Sequence, residues 1–404
     1  MSHPSFHLQN FRRGVVLLAL LMTLAATAPG QHRLNTPQTV PSWASGPNDT
    51  EVPTQLCMDT ANFLGGIKGR ADGPFHALED TAAWKAYADQ WDKTWEHAKA
   101  KQFDAVDSFQ KRELSSIKSG SNYMFYPFSG PDILYAQHFF PNARLSIFVA
   151  REDLGDIHAP DFYTTANIAH ELEGWRQGVA SIFDRTFFVT SEMDQQFHGE
   201  VSNGILPLML IFLVRNGNVL DYVRYGKITD DGDFVPESIL SPRHHAIEIH
   251  YRQPAETQSR ILYYVYADLA GPYAKDPSLS KFLAKQGRAD TFIKSASFLL
   301  HWQQFAAIRK TILENSNLIL QDDTGVPFKM LNPKEWQVEL FGTYSHPDKP
   351  FVNQWQPDLD TAFKEPGRAK TLGFVLGYGS HRRPSSLMLA LRQPPAAPQP
   401  ANNR

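Results

Sequence analysis

The chain has 404 residues, 42% of them hydrophobic and 20% charged, which excludes a wholly disordered or fibrous protein. Its 39 basic and 42 acidic residues leave a formal charge of −3, so no broad field for nucleic acid or an anionic membrane is expected. The single cysteine, Cys57, excludes an intrachain disulfide, a C-x-x-C redox site and a cysteine-based zinc knuckle.

Residues 1–30 carry the parts of a secretory signal. Arg12 and Arg13 close a basic start, and Gly14 to Ala28 is apolar, shorter than the ~20 residues a spanning helix needs. Ala26-Thr27-Ala28 supplies a small-residue cleavage pattern, with Pro29 directly after it. An uncleaved anchor is the alternative. No later stretch is expected to span a membrane. Residues 31–55 read as a flexible linker and 393–404 as a disordered tail.

Leu78 to Ala100 predicts a helix in which Trp84, Tyr87, Trp91 and Trp95 share one face. That face suits the core better than a sugar-stacking platform. Phe103 to Ile117 predicts a second helix. Asn122 to Phe128 predict an aromatic strand, Ile133 to Phe140 a short helix and Arg144 to Ala150 a strand followed by Glu152-Asp153. Ala166 to Ile182 reads as a helix. Ile205 to Val214 reads as a buried strand, joined by a hairpin signal at Arg215-Asn-Gly-Asn218 to a strand over Val219 to Ile228. His245 to Arg252 and Ser259 to Asp268 add two strands. Phe292 to Leu300 (strand, with helix open), a helix over Gln303 to Asn315 and a strand over Asn317 to Gln321 follow. Trp336 to Tyr344, Thr371 to Tyr378 and Ser386 to Leu391 read as closing strands.

The expected fold is α/β: a Rossmann-like three-layer core with N-terminal helices and a β-rich insertion. Residues 56–200 would hold the helices and the first part of the core, 201–270 the insertion, and 271–392 the second part of the core.

Several motifs are absent or incomplete. There is no G-x-S-x-G elbow and no phosphate-binding G-x-x-x-x-G-K-[ST] loop. His170-Glu171 opens like a zinc-protease helix, but Gly174 stands where the second histidine belongs. Asp230-Asp231-Gly232-Asp233 reads as a polar turn. His244, Glu248 and His250 share a strand face and match a zinc set, although a wet sheet face is the plainer account of them. No metal and no cofactor is expected.

Three constellations are candidate sites. The first is Tyr126-Pro-Phe-Ser129-Gly130-Pro-Asp132, with Tyr135 one turn on and Glu152 22 residues after Gly130. A turn after a strand and before a helix suits an anionic or polar ligand, and an acid at that distance suits a ribose. Turn and capping chemistry accounts for the same residues equally well. The second is Asp322-Asp323-Thr324-Gly325 past an apolar strand, where a carboxylate can act as general base. The third is Lys294-Ser295-Ala-Ser297 with His301, a hydroxyl near a lysine or histidine. Gly377-Tyr-Gly-Ser-His381-Arg-Arg383 adds a basic loop.

The unit from Tyr126 to Asp153 is similar to the first half of a class I methyltransferase core, which places a Gly-rich turn after its first strand and an acid after its second. Ser-Gly-Pro-Asp replaces that turn here, so the resemblance implies a degenerate core whose cofactor function is lost. Tyr126 to Tyr135, Lys294 to His301 and Leu320 to Pro327 also resemble segments of an uncharacterised family of exported bacterial envelope proteins. That resemblance implies a periplasmic or secreted location.

The leading expectation is therefore an exported protein that binds a small molecule or glycan at strand ends carrying Tyr126, Ser129, Gly130, Asp132, Tyr135 and Glu152. Asp322 would contribute there too. One alternative is an envelope hydrolase with Asp322 or Asp323 as general base and Ser295, Ser297 or His301 assisting. The other is a structural partner protein without catalysis. No nucleic-acid partner is expected. Oligomeric state is left open.

Overall fold

The structure is a computed structural model. It describes residues 49–394 except 122, 159, 242–244, 348 and 380–383, and between 166 and 203 only 168–169, 172–175, 179, 183 and 186. The expected signal segment, the tail beyond 394, His170, Glu171, His244, His381 and Arg383 lie outside the described residues.

The chain begins with β1 (Glu51–Val52), α1 (Thr54–Leu64), α2 (His76–Glu79) and α3 (Ala82–Ala98). Thr81 caps α3 by accepting the Trp84 N–H at 3.2 Å, as a threonine before an apolar-periodic run should. The aromatic stripe faces inward. Trp84 donates its indole N–H to the Phe63 carbonyl at 3.1 Å, and Tyr87 donates its hydroxyl to that of Leu64. It is core. The helix then continues through π-helical turns at Lys99–Phe103 and Gln110–Leu114, on either side of α4 (Asp104–Phe109).

Next come β2 (Tyr123–Pro127), α5 (Ile133–Phe139) and β3 (Leu145–Ala150). The strand–turn–helix–strand order expected here is present. Ile205 to Val214 is a correction: α6 (Leu206–Arg215) is a helix, not a strand. A short apolar run does not separate the two by periodicity, and Pro207 in the first turn favours the helix. The hairpin signal is instead a helix stop. Gly217, at φ 77°, sends its N–H to Val214 O, and Asn218 sends its own to Leu213 O.

The remaining elements are β4 (Val219–Ile228), β5 (Phe234–Pro236), β6 (Ala246–Arg252), β7 (Arg260–Tyr266), α7 (Pro277–Lys285), β8 (Ala289–Ile293) and α8 (Ala306–Asn315). Then follow β9 (Ser316–Gln321), β10 (Trp336–Gly342), α9 (Pro357–Lys364), β11 (Ala369–Lys370) and β12 (Ser386–Arg392). The strand expected over Phe292 to Leu300 starts earlier and stops at Ile293, because Ser295, Ser297 and Phe298 all have positive φ. Thr371 to Tyr378 is not a strand; the short strand here is Ala369–Lys370, which pairs with β10 in parallel.

Among the described residues twelve strands form one mixed sheet, in the order β1-β4-β6-β7-β3-β2-β8-β9-β12-β10-β11, with β5 on β4. The middle five, β7-β3-β2-β8-β9, are parallel. β6 and β4 extend the sheet antiparallel on one side, so strands of the 201–270 block continue the same sheet. On the other side β12 lies antiparallel between β9 and β10. β2 and most of β3 are buried along their whole length, as parallel strands covered on both faces must be. Phe292 fills the centre, with ring centroids 4.7 Å from Tyr126 and 5.1 Å from Phe139. Among the described residues no helix is long and apolar enough to cross a membrane.

The described part of a second, small unit is His346–Trp355, in which the His346 ring stacks on Trp355 at 3.9 Å.

Candidate functional site

Taken in chain order, the five parallel strands stand 3-2-1-4-5, so the order reverses between β2 and β8. Open α/β sheets bind ligands outside the carboxyl ends of their strands at such a reversal. Polar residues stand at matching places there. Glu152, Ser129, Ser295 and Asp323 each lie two residues past the end of β3, β2, β8 and β9.

The turn after β2 is tight. Phe128 is left-handed at φ 60° and Gly130 at φ 51°. Asp132 then caps α5: its Oδ1 accepts the Tyr135 N–H at 3.2 Å. Its Oδ2 accepts the Tyr126 hydroxyl at 2.8 Å and the Lys294 ammonium at 2.7 Å. Lys294 also donates to Thr186 O at 2.7 Å and lies 3.9 Å from the Tyr135 ring centroid. Burial pushes the Asp132 carboxyl up and the Lys294 ammonium down, while each holds the other charged. Tyr126, Asp132 and Tyr135 are thus brought together, around a lysine from β8's end. From sequence Lys294 reads as a lysine near the Ser295 and Ser297 hydroxyls, whereas its partner is Asp132.

Glu152 is buried beside Tyr264, whose hydroxyl donates to Glu152 O at 2.9 Å and lies 3.4 Å from Oε2. Asp322 is a brace between loops. Its Oδ2 accepts the Ser295 N–H at 2.8 Å, and its Oδ1 accepts the Thr324 N–H at 3.0 Å and the Thr324 hydroxyl. Asp323 accepts the Ser386 hydroxyl at 3.1 Å, and its carbonyl takes Gln356 Nε2 at 3.0 Å. His301 ends a short 3-10 turn and meets Phe298 edge-on at 5.2 Å.

The loop after β8 is held in its left-handed form from three sides. Tyr378 donates to Ser295 O at 3.0 Å and bonds Ser297 Oγ at 2.7 Å, and Thr324 Oγ1 accepts the Ala296 N–H at 2.7 Å. Backbone strain of this kind clusters at ligand sites. Thr186 and Gln356 carry no motif and were not legible as site residues, whereas Thr324 and Tyr378 stand inside the Asp322–Gly325 and Gly377–Arg383 motifs, where the sequence gives them no role of their own. Two hydroxyls remain. Ser129 Oγ and Ser295 Oγ are buried without a hydrogen-bond partner. Each such orphan costs about 1–3 kcal/mol in desolvation.

The other sheet candidate is satisfied internally. Glu248 accepts Arg224 Nε and the Tyr263 hydroxyl, both at 2.7 Å, and lies 3.2 Å from His250 Nε2. Among the described residues no group of three His, Cys, Asp or Glu is placed to hold a metal ion.

Burial pushes Asp322, Asp290 and Asp156 each up to about 6, with Asp323 adding to the effect at Asp322. Ordinary aspartate titrates near ~4. Below pH ~4 these groups are protonated in both folded and unfolded chains; above pH ~6 the folded chain must carry them charged and buried. Their stabilising contribution is therefore full below ~4 and lost as pH rises through ~6, by about 3 kcal/mol per group. Asp290 offers a clean test, because it lies at the opposite end of β8, bonded to Ser119 Oγ at 2.8 Å. Urea unfolding of Asp290→Asn should show a weaker fall in stability from pH 4 to 7 than the parent; identical pH dependence would refute the assignment.

No family model, no curated protein and no solved structure matches this chain.

Proposed function

We propose that the protein is an exported α/β ligand-binding protein, with a Rossmann-like core and its site at the reversal between β2 and β8. The pair of unpartnered buried hydroxyls, Ser129 Oγ and Ser295 Oγ, carries this reading. They lie at matching positions beyond adjacent strands, where a bound polar group would satisfy both. The N-terminal apolar stretch supports export. The strand order 3-2-1-4-5, with an acid after the second strand, supports the degenerate class I methyltransferase-like core that the sequence resembles.

The geometry favours a polar ligand over an anionic one. The start of α5, where a phosphate would sit, is filled by the Asp132 carboxylate. It also favours binding over hydrolysis. Both Asp322 oxygens are engaged on loop N–H groups, so that carboxylate is spent on holding the loop after β8.

A thermal-shift screen of neutral polar compounds on the full chain tests the reading. A ligand at a hundred times its Kd adds about 2.7 kcal/mol, which is readily measured. Ser129→Ala removes an unpartnered hydroxyl, so the unliganded variant should be as stable as the parent or more so. It should also lose the ligand shift. A ligand whose shift survives in both Ser129→Ala and Ser295→Ala would place the site elsewhere.

A further inference from the structure

We infer that the site between β2 and β8 takes a neutral sugar or polyol, an inference that rests on the binding reading above. The charged groups there are already committed. Lys294, 3% exposed, spends its ammonium on Asp132 Oδ2, Thr186 O and the Tyr135 ring. Asp132 and Asp322 accept hydrogen bonds at both oxygens. A phosphate or carboxylate ligand would meet buried carboxylates with no cation to spare among these groups, and an amine would have to displace bonds that hold the loops. Hydroxyl groups face neither penalty: each donates and accepts, and so matches the orphan Ser129 and Ser295 hydroxyls.

A second observation selects a ring-shaped polyol. Trp302 is 50% exposed, among very few large apolar side chains left open in the described residues. It stands on the same loop as Ser295. Arg309 fixes the backbone beneath it, donating to Leu300 O and to Trp302 O at 3.2 Å. The loop also meets the turn after β2 through Phe305 and Phe128, at 5.8 Å. An indole held open on the loop that carries Ser295 offers a stacking plate for the apolar face of a sugar, and its ring costs little entropy to present.

Isothermal titration of the full chain with neutral mono- and disaccharides, their phosphate esters, an amino sugar and a nucleoside decides it. A neutral sugar should bind, with its phosphate ester and amino form at least ten-fold weaker. Trp302→Ala should weaken the sugar at least ten-fold, with Trp302→Phe restoring most of it; exposure of Trp302 means neither variant should disturb folding. Equal or tighter binding of the phosphate or the amine overturns the inference, as does sugar binding indifferent to Trp302→Ala. If no sugar binds but another neutral compound does, and Ser129→Ala abolishes it, the sugar assignment fails while the site stands. If every bound compound ignores both serine variants, the site itself fails.

Discussion

Lys294→Met should destabilise the protein by about 3–5 kcal/mol, the usual result of removing one partner from a buried ion pair. The methionine fills much the same volume, so packing changes little. What changes is Asp132, left as a carboxylate with no cation, at a place where burial already pushes it toward protonation. Tyr126 and the Tyr135 N–H still donate to it, but neither supplies charge. The double variant Asp132→Asn/Lys294→Met should recover most of the loss, because an amide keeps the cap on α5 and needs no counter-ion. Equilibrium urea unfolding of the three variants measures both statements. A single-variant loss below ~1 kcal/mol, or a double variant as weak as the single, would show that the pair does not hold the two strand ends together.

Gly377→Ala is expected to lower stability by about 2–4 kcal/mol through two separate effects. Gly377 has φ 60°, where an alanine is strained. Its new Cβ would also stand 2.5 Å from Asp322 Oδ2 and 3.0 Å from Ser295 Oγ. The carboxylate must move, and with it the bond to the Ser295 N–H that keeps the loop after β8 in place. Gly373→Ala serves as a control, since nothing lies within 4 Å of its added Cβ and its φ is not positive. Thermal denaturation should separate the two variants clearly. Similar melting temperatures would mean that Asp322 tolerates displacement and is not the brace described.

The middle of the molecule was readable because its signals are local. Tyr123 to Pro127, Leu145 to Ala150 and Ser316 to Gln321 are short apolar runs ended by turn residues, and parallel strands need nothing more. Ser129, Asp132 and Glu152 were placed by the same logic of strand ends. The misreadings have physical causes. Leu206 to Val214 is buried on every side, which erases the period that distinguishes helix from strand. The partnership of Asp132 with Lys294, and of Ser295 with Tyr378, spans far too many residues for any spacing rule to find. Long-range pairing is fixed by sheet order, and sheet order is not a local property.

The position of β12 has a consequence for the timing of folding. Residues 386–392 are nearly the last described, yet they lie between β9 and β10, hydrogen-bonded to both. Until they leave the ribosome, two apolar strands have open edges facing a gap one strand wide. Until β12 is made the nascent chain is therefore unable to close its sheet and stays exposed to unwanted strand pairing. A chain stopped before Ser386 would keep that gap permanently, so loss of this short C-terminal segment should yield aggregation rather than a trimmed but working protein.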